Sequence, residues 1–178
     1  VTTVNLSGMT ITGANIGFDN GAGILAGYSN FPVPPDLTLN FSGLNITGNS
    51  CGGGGCGIST DNYNLNLLNS TVSNNSSSYC CGQGGPGGIQ FSGANTFNLI
   101  NSTVSGNTAG NNNSTVGGGI WSLGATLNVI NSTITDNGAN GGSSGVNVGG
   151  GTMTVRNSII AGNRNNSVTP DVTGSVVS

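Results

Sequence analysis

The chain has 178 residues, room for one domain, and a formal net charge of −3. Its charged residues are Asp19, Asp36, Asp61, Asp136, Asp171, Arg156 and Arg164, with no Lys, Glu or His. So few cations exclude the basic surface that nucleic acids and anionic membranes require, and no apolar run approaches the ~18 residues of a spanning helix.

Gly, Asn, Ser and Thr dominate, a composition that by itself permits a disordered polymer. The placement of Leu, Val and Ile argues against disorder, because it repeats in phase along the chain. Six units can be aligned. They read V-N-L-S-G-M-T-I-T-G-A from Val4, L-T-L-N-F-S-G-L-N-I-T-G-N from Leu37, L-N-L-L-N-S-T-V-S-N-N from Leu65, F-N-L-I-N-S-T-V-S-G-N from Phe97, T-L-N-V-I-N-S-T-I-T-D-N from Thr126 and M-T-V-R-N-S-I-I-A-G-N from Met153. The phase markers Ile11, Ile46, Val72, Val104, Ile134 and Ile160 are 35, 26, 32, 30 and 26 residues apart. A period near 30 with variable gaps predicts a solenoid whose insertions gather in loops.

Within each unit the residues alternate, as in a strand with one buried face. The first strand is predicted to bury Val4/Leu6, Leu39/Phe41, Leu65/Leu67, Phe97/Leu99, Leu127/Val129 and Met153/Val155, with Asn5, Asn40, Asn66, Asn98, Asn128 and Thr154 facing outward. A turn follows at Gly8, Gly43, Asn69, Asn101, Asn131 and Asn157, where Asn or Gly tolerates left-handed dihedrals. The second strand buries the phase markers. Its outward residues, Thr10/Thr12, Asn45/Thr47, Thr71/Ser73, Thr103/Ser105 and Thr133/Thr135, form a hydroxyl-rich array, and Asn49, Asn75, Asn107, Asn137 and Asn163 follow three residues after each marker, Ala14 replacing Asn in the first unit. A third strand starts at Ile24, Ile58, Ile89, Ile120 and Val146, each preceded by Gly. Three short strands per coil, stacked in register, predict an all-β parallel β-helix of about six coils: a single domain over residues 1–178 without clear terminal caps.

The coupling of [IV]-x-x-N (Val104 to Asn107, Ile134 to Asn137) with a downstream G-G-x-I (Gly117 to Ile120) resembles the repeats of polymorphic outer membrane proteins and other bacterial surface β-helices rich in N-S-T-I-S-G-N. The resemblance covers nearly the whole chain and implies a right-handed helix and a location outside the cell or on its surface. The chain departs from the polymorphic proteins in carrying a β-branched residue where they favour Phe, and it shows no membrane-anchoring barrel. Both Asn series are expected to form structural ladders whose amides satisfy buried backbone groups.

Asn69, Asn101 and Asn131 also begin N-S-T sequons. Read as packed turns, they leave Asn75, Asn112 and Asn113 as the sequons expected to carry a glycan. Cys51 and Cys56 in C-G-G-G-G-C, with Cys80 and Cys81 one coil later, read as two disulfides of an oxidising compartment. Bridges between the two loops come first among the pairings, and a Cys51–Cys56 closure with a vicinal Cys80–Cys81 bond comes second. C-x4-C with C-C and no His matches no common zinc spacing, so neither metal nor cofactor is expected. The loop from Tyr28 to Asp36, with F-P-V-P-P-D, is expected to project from the solenoid.

Glycoside hydrolysis needs two carboxyl groups across one bond, and lyases need calcium with a base. The five Asp lie at unrelated phases with no His, Lys or Glu to assist, so catalysis is not expected. The functional expectation is a non-catalytic extracellular structural unit, either a module of an adhesin or a subunit that stacks end to end into a filament, its partners being further copies or a cell-surface glycan. An apolar line, Leu68, Ile100 and Ile130, on the outward face of the first strand and an outward Trp121 are candidate contact points. The alternative is ice binding by Thr10, Thr12, Thr47, Thr71, Thr103, Thr133 and Thr135, whose spacing of about 4.8 by 6.7 Å follows from strand geometry.

Overall fold

The computed structural model describes residues 2–27, 37–78, 84–110, 117–139, 143–165 and 171–177. Every regular element among them is a β-strand, all pairing is parallel, and the strands form four sheets of seven, six, six and six members. The chain is thus a parallel β-solenoid of six coils plus one strand of a seventh. Sheet A holds Thr3–Ser7, Thr38–Ser42, Asn64–Leu68, Thr96–Ile100, Thr126–Ile130, Thr152–Arg156 and Val176–Val177, and sheet B holds Thr10–Thr12, Asn45–Thr47, Thr71–Ser73, Thr103–Ser105, Thr133–Thr135 and Ile159–Ala161. Sheet C consists of two-residue strands: Asn15–Ile16, Ser50–Cys51, Ser76–Ser77, Thr108–Ala109, Gly138–Ala139 and Arg164–Asn165. Sheet D contains Ile24–Ala26, Ile58–Asp61, Ile89–Ser92, Ile120–Leu123, Val146–Gly149 and Val172–Thr173.

Each coil therefore has four strands, not the three expected. Sheet C escapes sequence reading because two residues carry no alternation, and no one residue type runs through all six of its pairs N-I, S-C, S-S, T-A, G-A and R-N. The register matches the expected alignment: Leu39 pairs with Leu65, Phe97 with Leu127, and Val104 with Ile134. Inside, Leu39, Phe41, Leu65, Leu67, Phe97, Leu99, Leu127, Val129 and Met153 from sheet A meet Ile46, Val72, Val104 and Ile134 from sheet B and Ile58, Ile89, Ile120 and Val146 from sheet D in one continuous core. Phe91 and Phe97 stack within it, with ring centroids 5.4 Å apart. The predicted inward residues lose cover only at the ends, where Val4 is 46% exposed.

Two hydroxyls interrupt this apolar interior. Thr60 and Ser122 flank Phe91 in the sheet D register, both are fully buried, and neither Oγ has a hydrogen-bond partner. An unpaired buried hydroxyl carries a desolvation cost that an apolar group of the same shape does not. Thr60→Val is therefore expected to stabilise the fold by about 1 kcal/mol, measured as a higher urea midpoint at unchanged slope. A lower midpoint would show that Thr60 has a partner in solution.

Candidate functional site

Among the described residues the chemistry lies in files of stacked side chains, and one of these runs along the corner between sheets B and C. Asn49, Asn75, Asn107, Asn137 and Asn163 are each at most 8% exposed. From Asn49 through Asn137 the backbone N–H and one Nδ2–H of each Asn donate to Oδ1 of the next coil's Asn, at 3.0 Å each for Asn75 to Asn107. The second Nδ2–H donates back to the carbonyl of the preceding coil's phase marker, as from Asn107 to Val72 at 2.9 Å and from Asn137 to Val104 at 3.0 Å. The ladder is thus polar, with donors pointing toward the C-terminal coils. At its start Ala14 has no amide, and only its backbone N–H reaches Asn49 Oδ1, at 3.1 Å.

The glycine before each sheet D strand belongs to this ladder. A β-carbon on Gly119 would stand 2.7 Å from the carbonyl oxygen of Gly145 and 2.9 Å from Cγ and Nδ2 of Asn137. On Gly57 it would stand 2.8 Å from the Gly88 carbonyl oxygen and 3.0 Å from Asn75 Nδ2. Each glycine makes room for the Asn of the following coil, and this contact is what couples the two sequence motifs.

The ladder ends on Asp171. Its backbone carbonyl accepts from Val146 at 2.9 Å, as Gly145 accepts from Ile120 at 2.9 Å, so Asp171 occupies the glycine row. Its Oδ1 takes both donors of Asn163, backbone and amide, at 2.8 Å each. Sequence reasoning left Asp171 among scattered carboxylates. The available signal was its place immediately before Val172, where the other coils have Gly.

The second Asn series behaves differently. Asn69, Asn101, Asn131 and Asn157 hold φ of 49° in the turn between sheets A and B, as the expectation of left-handed turns requires. Their side chains are exposed rather than packed, and the one bond between them, from Asn101 Nδ2 to Asn69 Oδ1, is 3.3 Å long. The glycan expectation at Asn75 is overturned. Asn75 is fully buried with its amide committed to Ile46 and Asn107, so no sugar can join it in the folded chain. Asn112 and Asn113 lie outside the described residues.

The serine of N-S-T forms a ladder that the sequence reading missed. Ser70, Ser102 and Ser132 are 3% exposed; the N–H of Ser70 donates to Ser102 Oγ and that of Ser102 to Ser132 Oγ, both at 3.1 Å. Each hydroxyl donates in turn to the carbonyl two residues back, at 2.8 Å for Ser102 to Ile100. A fourth file, Asn5, Asn40, Asn66, Asn98 and Asn128, runs along the outer face of sheet A, each Nδ2 donating to the preceding coil's Oδ1 at 2.8 to 3.0 Å.

Leu68, Ile100 and Ile130 line up beside that file between Ser42 and Arg156, half-buried along one edge of sheet A. Trp121 is also half-buried and packs against Ala109 and Ala139 of sheet C, so it does not stand free as an outward aromatic. The hydroxyl array is in register: Thr10, Asn45, Thr71, Thr103 and Thr133 form one file, and Thr12, Thr47, Ser73, Ser105 and Thr135 the other. Ser73 Oγ donates to Thr47 Oγ1 at 3.1 Å, and Ile159 and Ala161 end both files.

The favoured cysteine pairing is corrected: Cys51 is bonded to Cys56 within its own coil, with Cα atoms 5.3 Å apart. C-G-G-G-G-C turns back on itself, because Gly52 lies against the Gly17 carbonyl and Gly54 against Gly85, and this brings both cysteines to one buried point. Cys80, Cys81 and the proline loop lie outside the described residues. No helix among the described residues is long and apolar enough to cross a membrane. The chain is, by these features, a parallel β-solenoid held by Asn, Ser and Gly files. No family model, curated protein or solved structure matches it.

Proposed function

We propose that the chain is a non-catalytic extracellular structural unit that stacks end to end with further copies into a filament. The observation that carries this reading is the continuous parallel register of the four sheets, in which each coil presents to the next the same edge on which it was itself laid down. Strand edges of that kind recruit further strands, and a head-to-tail contact that does not close yields a fibre. The Cys51–Cys56 bond and the resemblance to bacterial surface β-helices support a place outside the cell.

Negative-stain electron microscopy of the native protein over a range of concentrations tests this. Unbranched filaments with an axial repeat near six coils, about 29 Å from the strand spacing, are expected. Short rods at every concentration would overturn the filament. In-register Thr files favour ice binding as the second reading, although Asn45, Ser73 and Ser105 break them. Thermal hysteresis from isolated rods is the result that would select it.

A further inference from the structure

We infer that the outer face of sheet A pairs side by side with the same face of a second copy, the two solenoids running antiparallel about a two-fold axis over Ile100. This contact is lateral and does not rest on end-to-end stacking. The last outward file of sheet A reads Ser42, Leu68, Ile100, Ile130 and Arg156 from coil to coil, and its three apolar members are half-buried. Its polarity is the same read in either direction. Turning a second copy over about an axis along the Ile100 strand therefore sets Ile100 on its own counterpart, Leu68 on the partner's Ile130 and Ser42 on the partner's Arg156. Apolar groups meet apolar groups, and polar meet polar.

The neighbouring Asn file fits the same operation. Asn98 falls on itself and Asn66 on the partner's Asn128. Within the file each of these amides uses one Nδ2–H, and Asn66 and Asn98 also use one Oδ1 site, so donors and acceptors are left for the facing copy. Both files repeat at the strand spacing, about 4.8 Å along the stack. A partner that matches them over several coils needs that same period, as faces of stacked strands have in a zipper.

Other alignments of two copies bury worse pairs. A two-fold axis along the stack would set Ile100 and Ile130 on Thr96 and Thr126, in the first outward file of the same strands. Sliding the antiparallel pair by one coil would set either Ile130 on Ser42 or Arg156 on Leu68. The second of these desolvates the only charge on the sheet A strands without a counter-charge. Arg156 thus fixes the register by exclusion. The footprint of five strands is about 24 by 17 Å, or about 400 Å² per copy, half that of a standard interface. One pair of chains therefore associates weakly, and the contact strengthens where several footprints act together.

Cross-linking through single cysteines tests the geometry. Ile100→Cys, Leu68→Cys and Ile130→Cys are treated at about 1 mM chain, the dissociation constant of a weak contact, with a short bismaleimide and with wild type as the blank. Ile100→Cys is expected to link to itself. Leu68→Cys and Ile130→Cys are expected to link to each other when mixed but not to themselves, since each lies two coils, about 9.6 Å, out of line with its own counterpart. Ile100→Lys sets two ammonium groups against each other on the axis and is expected to weaken association in sedimentation equilibrium by about tenfold or more. If no variant links above the blank, or if Leu68→Cys links to itself as readily as Ile100→Cys, the inference fails.

Discussion

Gly119→Ala is expected to destabilise the solenoid by about 3 kcal/mol, the upper end of overpacking costs, although it adds one methyl group at a position whose φ is not left-handed. The methyl would sit 2.7 Å from the Gly145 carbonyl oxygen and 2.9 Å from the Asn137 amide. Neither neighbour can retreat. The carbonyl accepts the sheet D bond from Ile120 at 2.9 Å, and the amide is fixed by Val104 and Asn163 at 3.0 and 2.8 Å. Gly17→Ala is the control, since nothing lies within 4 Å of its added carbon and its φ is not left-handed. Its effect is expected to stay within about 0.5 kcal/mol. Urea unfolding of the two variants side by side measures the difference, and equal midpoints would mean that the coils do not approach as closely as described.

That contact shows why the fold was legible without an alignment. Gly119 and Asn137 are distant in sequence yet touch, so [IV]-x-x-N and G-G-x-I recur together in one coil after another. Alternation located sheets A, B and D because each has at least one inward residue per strand flanked by polar ones, as in Leu127-Asn128-Val129. The turn asparagines were legible for a related reason: φ of 49° at Asn69, Asn101, Asn131 and Asn157 is a conformation that few residues other than Gly and Asn accept.

What stayed hidden depends on neighbours rather than on pattern. Sheet C is too short to alternate. The Cys51–Cys56 bond follows from how close the glycine backbones of adjacent coils run, which cysteine spacing does not encode. Asn75 satisfies two sequence patterns at once, the ladder phase three residues after Val72 and a loop sequon with Ser77, and only its burial selects the first. Asp171 is a charge in the phase of a glycine, and its role appears only once the ladder is seen to have a direction. A ladder whose Asn-to-Asn bonds all run one way leaves Asn163 with two donors to satisfy, and the Asp171 carboxylate accepts both.

The same polarity sets the second large effect. Asn107→Ala is expected to cost about 4 kcal/mol, because it strands several buried groups that lose about 1–3 kcal/mol each when unpaired. The backbone N–H and Nδ2 of Asn75 lose their shared acceptor, and the Val72 carbonyl loses a donor. Asn107→Asp is expected to be no milder, although an aspartate serves at the end of the same file. It keeps the acceptor for Asn75 but turns an oxygen toward Asn137 Oδ1, whereas Asp171 enters the file from the glycine row and supplies only the acceptor. Asn101→Gly, six residues earlier on the exposed turn, is expected to change stability by less than about 0.5 kcal/mol, since glycine accepts the left-handed φ. Urea midpoints give the ranking. Hydrogen exchange adds the location: the Asn75 amide should lose protection in Asn107→Ala while the Asn163 amide keeps its own. A midpoint for Asn107→Ala equal to that of Asn101→Gly would mean that stacking of the apolar core, and not the ladder, holds this corner closed.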